Sequence, residues 1–171
     1  MAPALVAEIA RQVESAEHLY DRLVLLVGPP LSGKTRTLRE LHSTRGWPLV
    51  NVNLALSERL LELKARQRAL RTARIVDEVV HEAGIGVVLL DNIEMLFDPG
   101  LQQDPLRLLQ SLSRNRTVVA NWRGAMVGSI LTYASPDHPE YRRYENPQAL
   151  VVAANLESGQ RGARPDMEPS T

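Results

Sequence analysis

Cysteine is absent from the 171 residues, which excludes disulfides and thiolate metal sites and fits a reducing compartment. Net charge is absent too, because twenty Lys and Arg balance twenty Asp and Glu. No global field therefore draws the chain onto DNA or an anionic membrane, and any nucleic-acid contact needs a local patch. No apolar run approaches the length of a membrane span. Glu8 and Arg11 interrupt the N-terminal stretch where a signal peptide needs continuous apolar residues, so a cytoplasmic protein is expected. No internal repeat occurs. The length fits one domain with a real hydrophobic core, over residues 1–154. From Asn155 the composition turns to Gly, Pro, Ser and charge, and a disordered tail is expected over 155–171.

Helices and strands alternate along the chain. Leu5, Ile9, Val13, Ala16 and Leu19-Tyr20 recur at helical spacing, which predicts an amphipathic helix from about Pro3 to Tyr20. Leu23–Val27 reads as a buried strand, and Thr35–Thr44 as a helix stopping near Gly46, since Pro48 cannot continue it. Pro48–Leu54 alternates enough to be a second strand, with Ser57 capping a helix from Glu58. Lys64–Arg74 is polar and basic, suggesting a loop or broken helix, before a periodic stretch from Thr72 to Ala83. Gly86–Asp91 is the clearest buried strand. Asp98-Pro99-Gly100 makes a turn, and Asp104-Pro105 opens a helix with proline in its first turn. Thr117–Asn121 is a fourth strand and Leu150–Ala153 a fifth, with Gly124–Asn146 irregular between them. Such alternation predicts an α/β fold: a mainly parallel five-stranded sheet sandwiched by helices. Ligands of such sheets sit beyond the carboxyl ends of the strands.

At the end of the first strand, Gly28-Pro29-Pro30-Leu31-Ser32-Gly33-Lys34-Thr35 matches the phosphate-binding pattern G-x-x-x-x-G-K-[ST]. From average residue usage, chance supplies such a match in roughly one chain in a few hundred of this length. In a strand–loop–helix the loop N–H groups converge on phosphates and the helix N-terminus adds partial positive charge. Lys34 would reach the β- and γ-phosphates of a nucleoside triphosphate, and the Thr35 hydroxyl would take a place on Mg²⁺. Val87-Val88-Leu89-Leu90-Asp91 has the form of the partner motif, a carboxylate at a buried strand tip that holds Mg²⁺ directly or through water. It is the third strand, so another strand can lie between it and the first. That is the additional-strand arrangement of P-loop ATPases, whereas P-loop small-molecule kinases usually keep the two side by side. Kinases also need lid arginines, a part open to Arg142-Arg143.

Hydrolysis needs a group that takes a proton from water or positions it near the γ-phosphate. Directly after Asp91, where ATPases of this type usually carry glutamate, stands Asn92. Asparagine can hydrogen-bond a water but cannot deprotonate it. Glu94 is the nearest carboxylate that could substitute; otherwise it begins the next helix and is solvated. Asn121, at the tip of the fourth strand, is placed to sense the γ-phosphate, or else is a turn-forming asparagine. Trp122 could stack on a ligand or sit half-buried beside a loop. Arg114, Arg116, Arg142 and Arg143 are candidates for an arginine finger acting across a subunit interface, or surface arginines. Between Arg59 and Arg74 lie Lys64, Arg66, Arg68 and Arg71 with only Glu62 acidic. With few aromatics beside it, that segment offers no base stacking. Contact with a DNA backbone, docking on an acidic partner and a solvated surface all stay open for it.

Taken together, Leu23–Thr35, Asn51-Val52-Asn53-Leu54, Leu89-Leu90-Asp91-Asn92-Ile93-Glu94, Asp104–Gln110 and Ser113-Arg114-Asn115-Arg116-Thr117-Val118-Val119-Ala120 resemble the BrxF family. That family is the P-loop component of type 3 bacteriophage-exclusion (BREX) defence systems, and the resemblance runs from about Leu23 to Val152. It implies a P-loop NTPase with an AAA+-like core that uses ATP and Mg²⁺. It also implies work with other bacteriophage-exclusion proteins, a methyltransferase among them, against phage DNA. A homo-oligomer is expected, and DNA could be met through the Arg59–Arg74 segment or through partners. Two departures stand out. Leu31 occupies the place where the AAA+ loop has glycine, and the sequence stops where AAA+ proteins continue into a C-terminal helical lid.

Overall fold

Leu23–Gly28 forms a strand (β1) in which every residue is buried, as a central parallel strand with helices on both faces requires. The computed structural model describes residues 2–154; the tail expected over 155–171 lies outside them. Leu23, Leu25 and Val27 pack on one face of the sheet and Val24 and Leu26 on the other. Parallel pairing gives the order β2 (Leu49–Asn51), β3 (Val87–Asp91), β4 (Thr117–Val127), β1, β7 (Leu150–Ala153). β4 thus separates β3 from β1, the additional-strand arrangement that the sequence order predicts. Helices α1 (Ala2–Ala16) and α2 (Lys34–Arg45) cover one face through Ile9, Val13, Ala16, Leu38 and Leu41. Helices α3 (Val52–Leu60), α4 (Ala65–Ala83) and α5 (Pro105–Leu112) cover the other.

Four expectations are corrected. The second strand stops at Asn51, because the Asn51 side chain accepts a hydrogen bond from the Leu54 N–H at 3.0 Å and starts α3 there. Val52, Leu56 and Leu60 are buried at helical, not strand, spacing, and Ser57 lies inside the helix. The basic segment is not a loop. It is the first half of α4, an unbroken helix of 19 residues with Thr72, Ile75, Val76 and Val80 buried. Its Lys and Arg residues looked loop-like because they occupy the solvent face of an amphipathic helix. The first helix ends at Ala16, four residues short of Tyr20, and Tyr20 is exposed.

The fourth correction is the largest. β4 does not end at Asn121 but runs on to Val127, turns at Gly128-Ser129, and returns as β5 (Ile130–Tyr133), with β6 (Arg142–Glu145) paired antiparallel beyond it. This extension has a core of its own. Trp122 is fully buried rather than half-buried, with Phe97 edge-on to it at 5.2 Å and Tyr133 at 5.8 Å. Phe97 and Tyr133 stack at 3.4 Å between centroids. The Trp122 indole N–H donates to the Thr132 carbonyl at 2.9 Å, satisfying the one polar group of a buried tryptophan.

Gly124 makes that close approach possible, since a Cβ there would run into the Thr132 carbonyl oxygen and crowd Trp122 Nε1 at 3.1 Å. Gly124→Ala is expected to cost about 1–3 kcal/mol through overpacking. The check is a lower urea midpoint with an unchanged slope.

Candidate functional site

The buried face-to-face packing of β1 ends at Gly28, and the chain leaves the sheet there as the phosphate-binding loop. Gly33 takes φ +89° immediately before α2, a left-handed turn that glycine adopts at little cost. Leu31 takes φ +65° as well and is 93% exposed. For leucine that conformation costs about 1–2 kcal/mol, and glycine would remove the strain. The loop therefore keeps the glycine-type backbone without the glycine. It turns over the N-terminus of α2, whose dipole favours an anion there.

Lys34 is 9% exposed. Its ammonium donates to the Gly28 carbonyl at 2.9 Å, the Pro29 carbonyl at 2.6 Å and Ser32 Oγ at 3.2 Å. Burial pushes its pKa below the ordinary lysine value; the charges of Glu94 and Asp91 oppose that shift, and Arg123 adds to it. A positive group held where it is short of compensation is suited to receive negative charge.

Asp91 ends β3 and is buried. Its Oδ1 accepts from the Asn92 N–H at 2.9 Å and from Asn121 Nδ2 at 2.7 Å. Because a carboxylate only accepts, Asn121 must present its NH₂ to Asp91, which fixes the amide orientation. The other end, Asn121 Oδ1, is then buried with no partner. A buried acceptor of that kind calls for a donor such as an ordered water. Asn121 can stand beside Asp91 because β4 lies next to β3, with Leu90 opposite Ala120.

Glu94 is in the cleft. It starts a 3₁₀ turn, Glu94–Phe97, and its Oε1 accepts from Asn53 Nδ2 at 3.1 Å. Asn53 secures the turn twice more, accepting from the Met95 N–H at 2.8 Å and donating its own N–H to the Asn92 carbonyl at 2.8 Å. Asn92, with φ +52°, gives the bend that brings Glu94 back over the strand end. Lys34, Thr35, Asp91, Asn92, Glu94 and Asn121 line one cleft of about 810 Å³. Pro30, Leu31, Ser32 and Gly33 line it too.

Three arginines, Arg36, Arg39 and Arg123, also border that cleft, and no local motif in the sequence marks them. The four arginines expected as finger candidates stand elsewhere. Arg116 is 4% exposed and donates to the Leu112 carbonyl at 3.1 Å, so it has no surface to offer a neighbour. Arg114 pairs with Asp21 at 3.2 Å, and it precedes β4, at the sheet end opposite the cleft. Arg142 and Arg143 lie on β6, Arg143 paired with Glu145 at 2.6 Å.

Among the described residues no group of three His, Cys, Asp or Glu could hold a metal. The donor set at the cleft does fit Mg²⁺ bound as a triphosphate complex. Mg²⁺ takes hard oxygens, keeps several waters and uses one or two protein oxygens beside the phosphates. Thr35 and Asp91 offer those oxygens, and the orphaned Asn121 oxygen would accept from a coordinated or attacking water.

No family model matches the sequence, and no curated protein matches it. Among solved structures the chain is similar to PCH-2 of C. elegans, at 18% identity and a TM-score of 0.46, covering 91% of this chain and 42% of that one. It is similar also to a Walker-type ATPase of Pyrococcus abyssi, at 20% identity and a TM-score of 0.43, covering 94% of this chain and 59% of that one. The chain thus spans only part of the length of each. No helix among the described residues is long and apolar enough to cross a membrane.

Asn53 makes three bonds from one side chain and its backbone, two of them to the Glu94 turn. Asn53→Ala is expected to cost about 1–3 kcal/mol. Denaturant unfolding reads that loss, and loss of amide-exchange protection confined to Met95 and its neighbours checks that the turn is what loosens.

Proposed function

We propose that this protein binds Mg²⁺–ATP in the cleft at the carboxyl ends of β1 and β3, beside Asn121 of β4, and hydrolyses it. The observation that carries this reading is the convergence of Lys34, Asp91, Glu94 and Asn121, from four separate segments, around the mouth of one phosphate-binding loop. Lys34 neutralises the β- and γ-phosphates. Thr35 and Asp91 would hold Mg²⁺, which would supply charge neutralisation on the phosphate oxygens. Asn121 orients a water with its free oxygen. Glu94, held by Asn53, is the carboxylate in the cleft that can accept the water's proton. It does so in place of the usual neighbour of the strand-end aspartate, where Asn92 stands.

The larger role we propose is to drive assembly or remodelling of a bacteriophage-exclusion complex, in company with other proteins of that defence and with DNA. The resemblance of the Asp91–Glu94 and Ser113–Ala120 segments supports it. A second reading, an ATP-dependent assembly switch with little turnover, is favoured by Asn92, whose amide cannot take a proton. Light scattering with ATP, ADP and no nucleotide separates the two readings, because a switch changes mass among them without phosphate release.

Purified protein is expected to release phosphate from Mg²⁺–ATP, and Lys34→Ala to abolish binding. Glu94→Gln should keep binding and lose turnover by about 10²–10⁴-fold, the range for a general base. Equal rates for Glu94→Gln and the parent would remove Glu94 from the mechanism.

Lys34 also sets a pH dependence. In the free protein burial pushes its pKa below the ordinary 10.5, whereas a bound triphosphate favours the charged form and raises it. Between the two values the complex holds more protons than the free protein. ATP affinity is therefore expected to fall as pH rises through the free-protein value. Binding on that alkaline limb takes up protons, which calorimetry in buffers of different ionisation enthalpy measures.

A further inference from the structure

We propose that Arg123 contacts the terminal phosphoryl group of the bound nucleotide from within the same chain, a role for which the sequence suggested arginines of a neighbouring subunit. The inference rests on the nucleotide reading of the cleft and extends it. Its first support is register. On β4, Asn121 lies opposite Leu26 and Arg123 opposite Gly28, the first residue of the phosphate-binding loop. Arg123 therefore stands alongside the start of the loop, not out along the extension.

Orientation gives the second support. Alternate residues of a strand share a face. Asn121 and Arg123 both line the cleft, while Trp122 between them turns away into the aromatic cluster. That full burial of Trp122 locks the strand's facing, so the Arg123 side chain cannot swing to the opposite side without unpacking the extension.

Charge gives the third. Arg123 belongs to none of the ion pairs among the described residues, and it is exposed. Its charge pushes Lys34 further down, and its charge and a side-chain hydrogen bond to the Tyr133 hydroxyl oppose the rise that burial, Glu94 and Glu140 cause there. Two cations face the same space with no anion committed to Arg123. A guanidinium can bind two phosphate oxygens at once in a fixed plane.

Place along the triphosphate follows from the loop's direction. Arg36 and Arg39 are on α2, beyond Thr35, at the end of the loop that takes the inner phosphates. Arg123 is at the other end, with Asp91, Glu94 and Asn121, where the terminal phosphoryl group reacts. It also forms the wall between this cleft and a neighbouring one of about 340 Å³ bordered by Pro29, Pro30, Tyr133 and His138. Loss of Arg123 should thus weaken recognition of a third phosphate and leave recognition of the first two intact.

The test compares two ligands by calorimetry in the presence of Mg²⁺, the non-hydrolysable triphosphate AMP-PNP and ADP. The proteins are the parent, Arg123→Ala and Arg123→Lys, each shown folded by its thermal melt. The expected result is that Arg123→Ala weakens AMP-PNP by about tenfold or more, the worth of one strong phosphate contact. ADP affinity should stay within about twofold, and Arg123→Lys should recover part of the loss. Equal weakening of both ligands, or of neither, overturns the inference while leaving the nucleotide site standing. If Arg123→Ala fails to fold, the same comparison on Arg123→Lys decides, since a point charge cannot replace the planar fork fully. A parent protein that binds neither ligand would overturn the nucleotide reading itself, and the inference with it.

Discussion

Burial of β1 on both faces is the constraint from which the cleft follows. A strand sealed above and below by apolar side chains can offer polar groups only at its ends. At its carboxyl end the chain must turn sharply to begin α2, so a run of backbone passes over a helix N-terminus, and Lys34 is drawn into its centre. β4, paired along the full length of β1, carries the polar Asn121 to the same level. β3, one strand further out, brings Asp91 Oδ1 within 2.7 Å of the Asn121 amide nitrogen. The hydrogen bond between Asp91 and Asn121 thus spans the gap that an inserted strand would otherwise leave between acid and loop.

The cleft holds its charges in tension. Lys34 is buried and satisfied only by carbonyls and one hydroxyl, which solvate an ammonium less well than water does. Arg36, Arg39 and Arg123 border the same space, with Asp91 and Glu94 as the opposing anions. An excess of positive charge close to a helix N-terminus is a receptor for a polyanion. It is also a place where local stability has been given up, as the left-handed Leu31 indicates.

One short turn ties the chemistry to the antiparallel extension. Glu94 and Phe97 stand at its two ends. Glu94 reaches the cleft and Phe97 stacks on Tyr133 of β5, with Trp122 of β4 edge-on to it. Trp122 in turn is flanked by Asn121 and Arg123, both on the cleft. A displacement of the extension therefore has a packed route to the carboxylate and to Asn121, through side chains with little free volume between them. The outer strand β6 is held to the body by Tyr144, whose hydroxyl donates to Asp104 at 2.9 Å. Burial and that carboxylate raise the Tyr144 pKa, so the hydroxyl stays protonated and donating.

Much of the fold and most of the residues lining the cleft were legible in the sequence. The phosphate-binding loop, the buried runs Leu23–Val27 and Val87–Leu90, Asp104 with Pro105 at a helix start, and Gly46 at a helix end each carry a local physical reason, and each stands where that reason puts it. That a further strand lies between β3 and β1 was legible too, because β3 is the third strand along the chain; the rest of the strand order was not. What failed was local pattern under tertiary control. Asn51 caps a helix where alternation suggested a strand, and α4 hides its apolar stripe beneath basic residues. Strand pairing organises 124–133 and 142–145 within the stretch that looked irregular, while Pro136 and Pro139 stand in the unpaired connection between β5 and β6.

The sequence by itself determined which residues could grip phosphate and metal, since spacing along one loop and one strand end suffices for that. Only the tertiary structure decided that Glu94 belongs in the cleft, that Arg116 is sealed away from it, and that Arg123 borders it. Those three depend on register between strands and on a bend held by Asn53, contacts between residues far apart in the chain that no local pattern records.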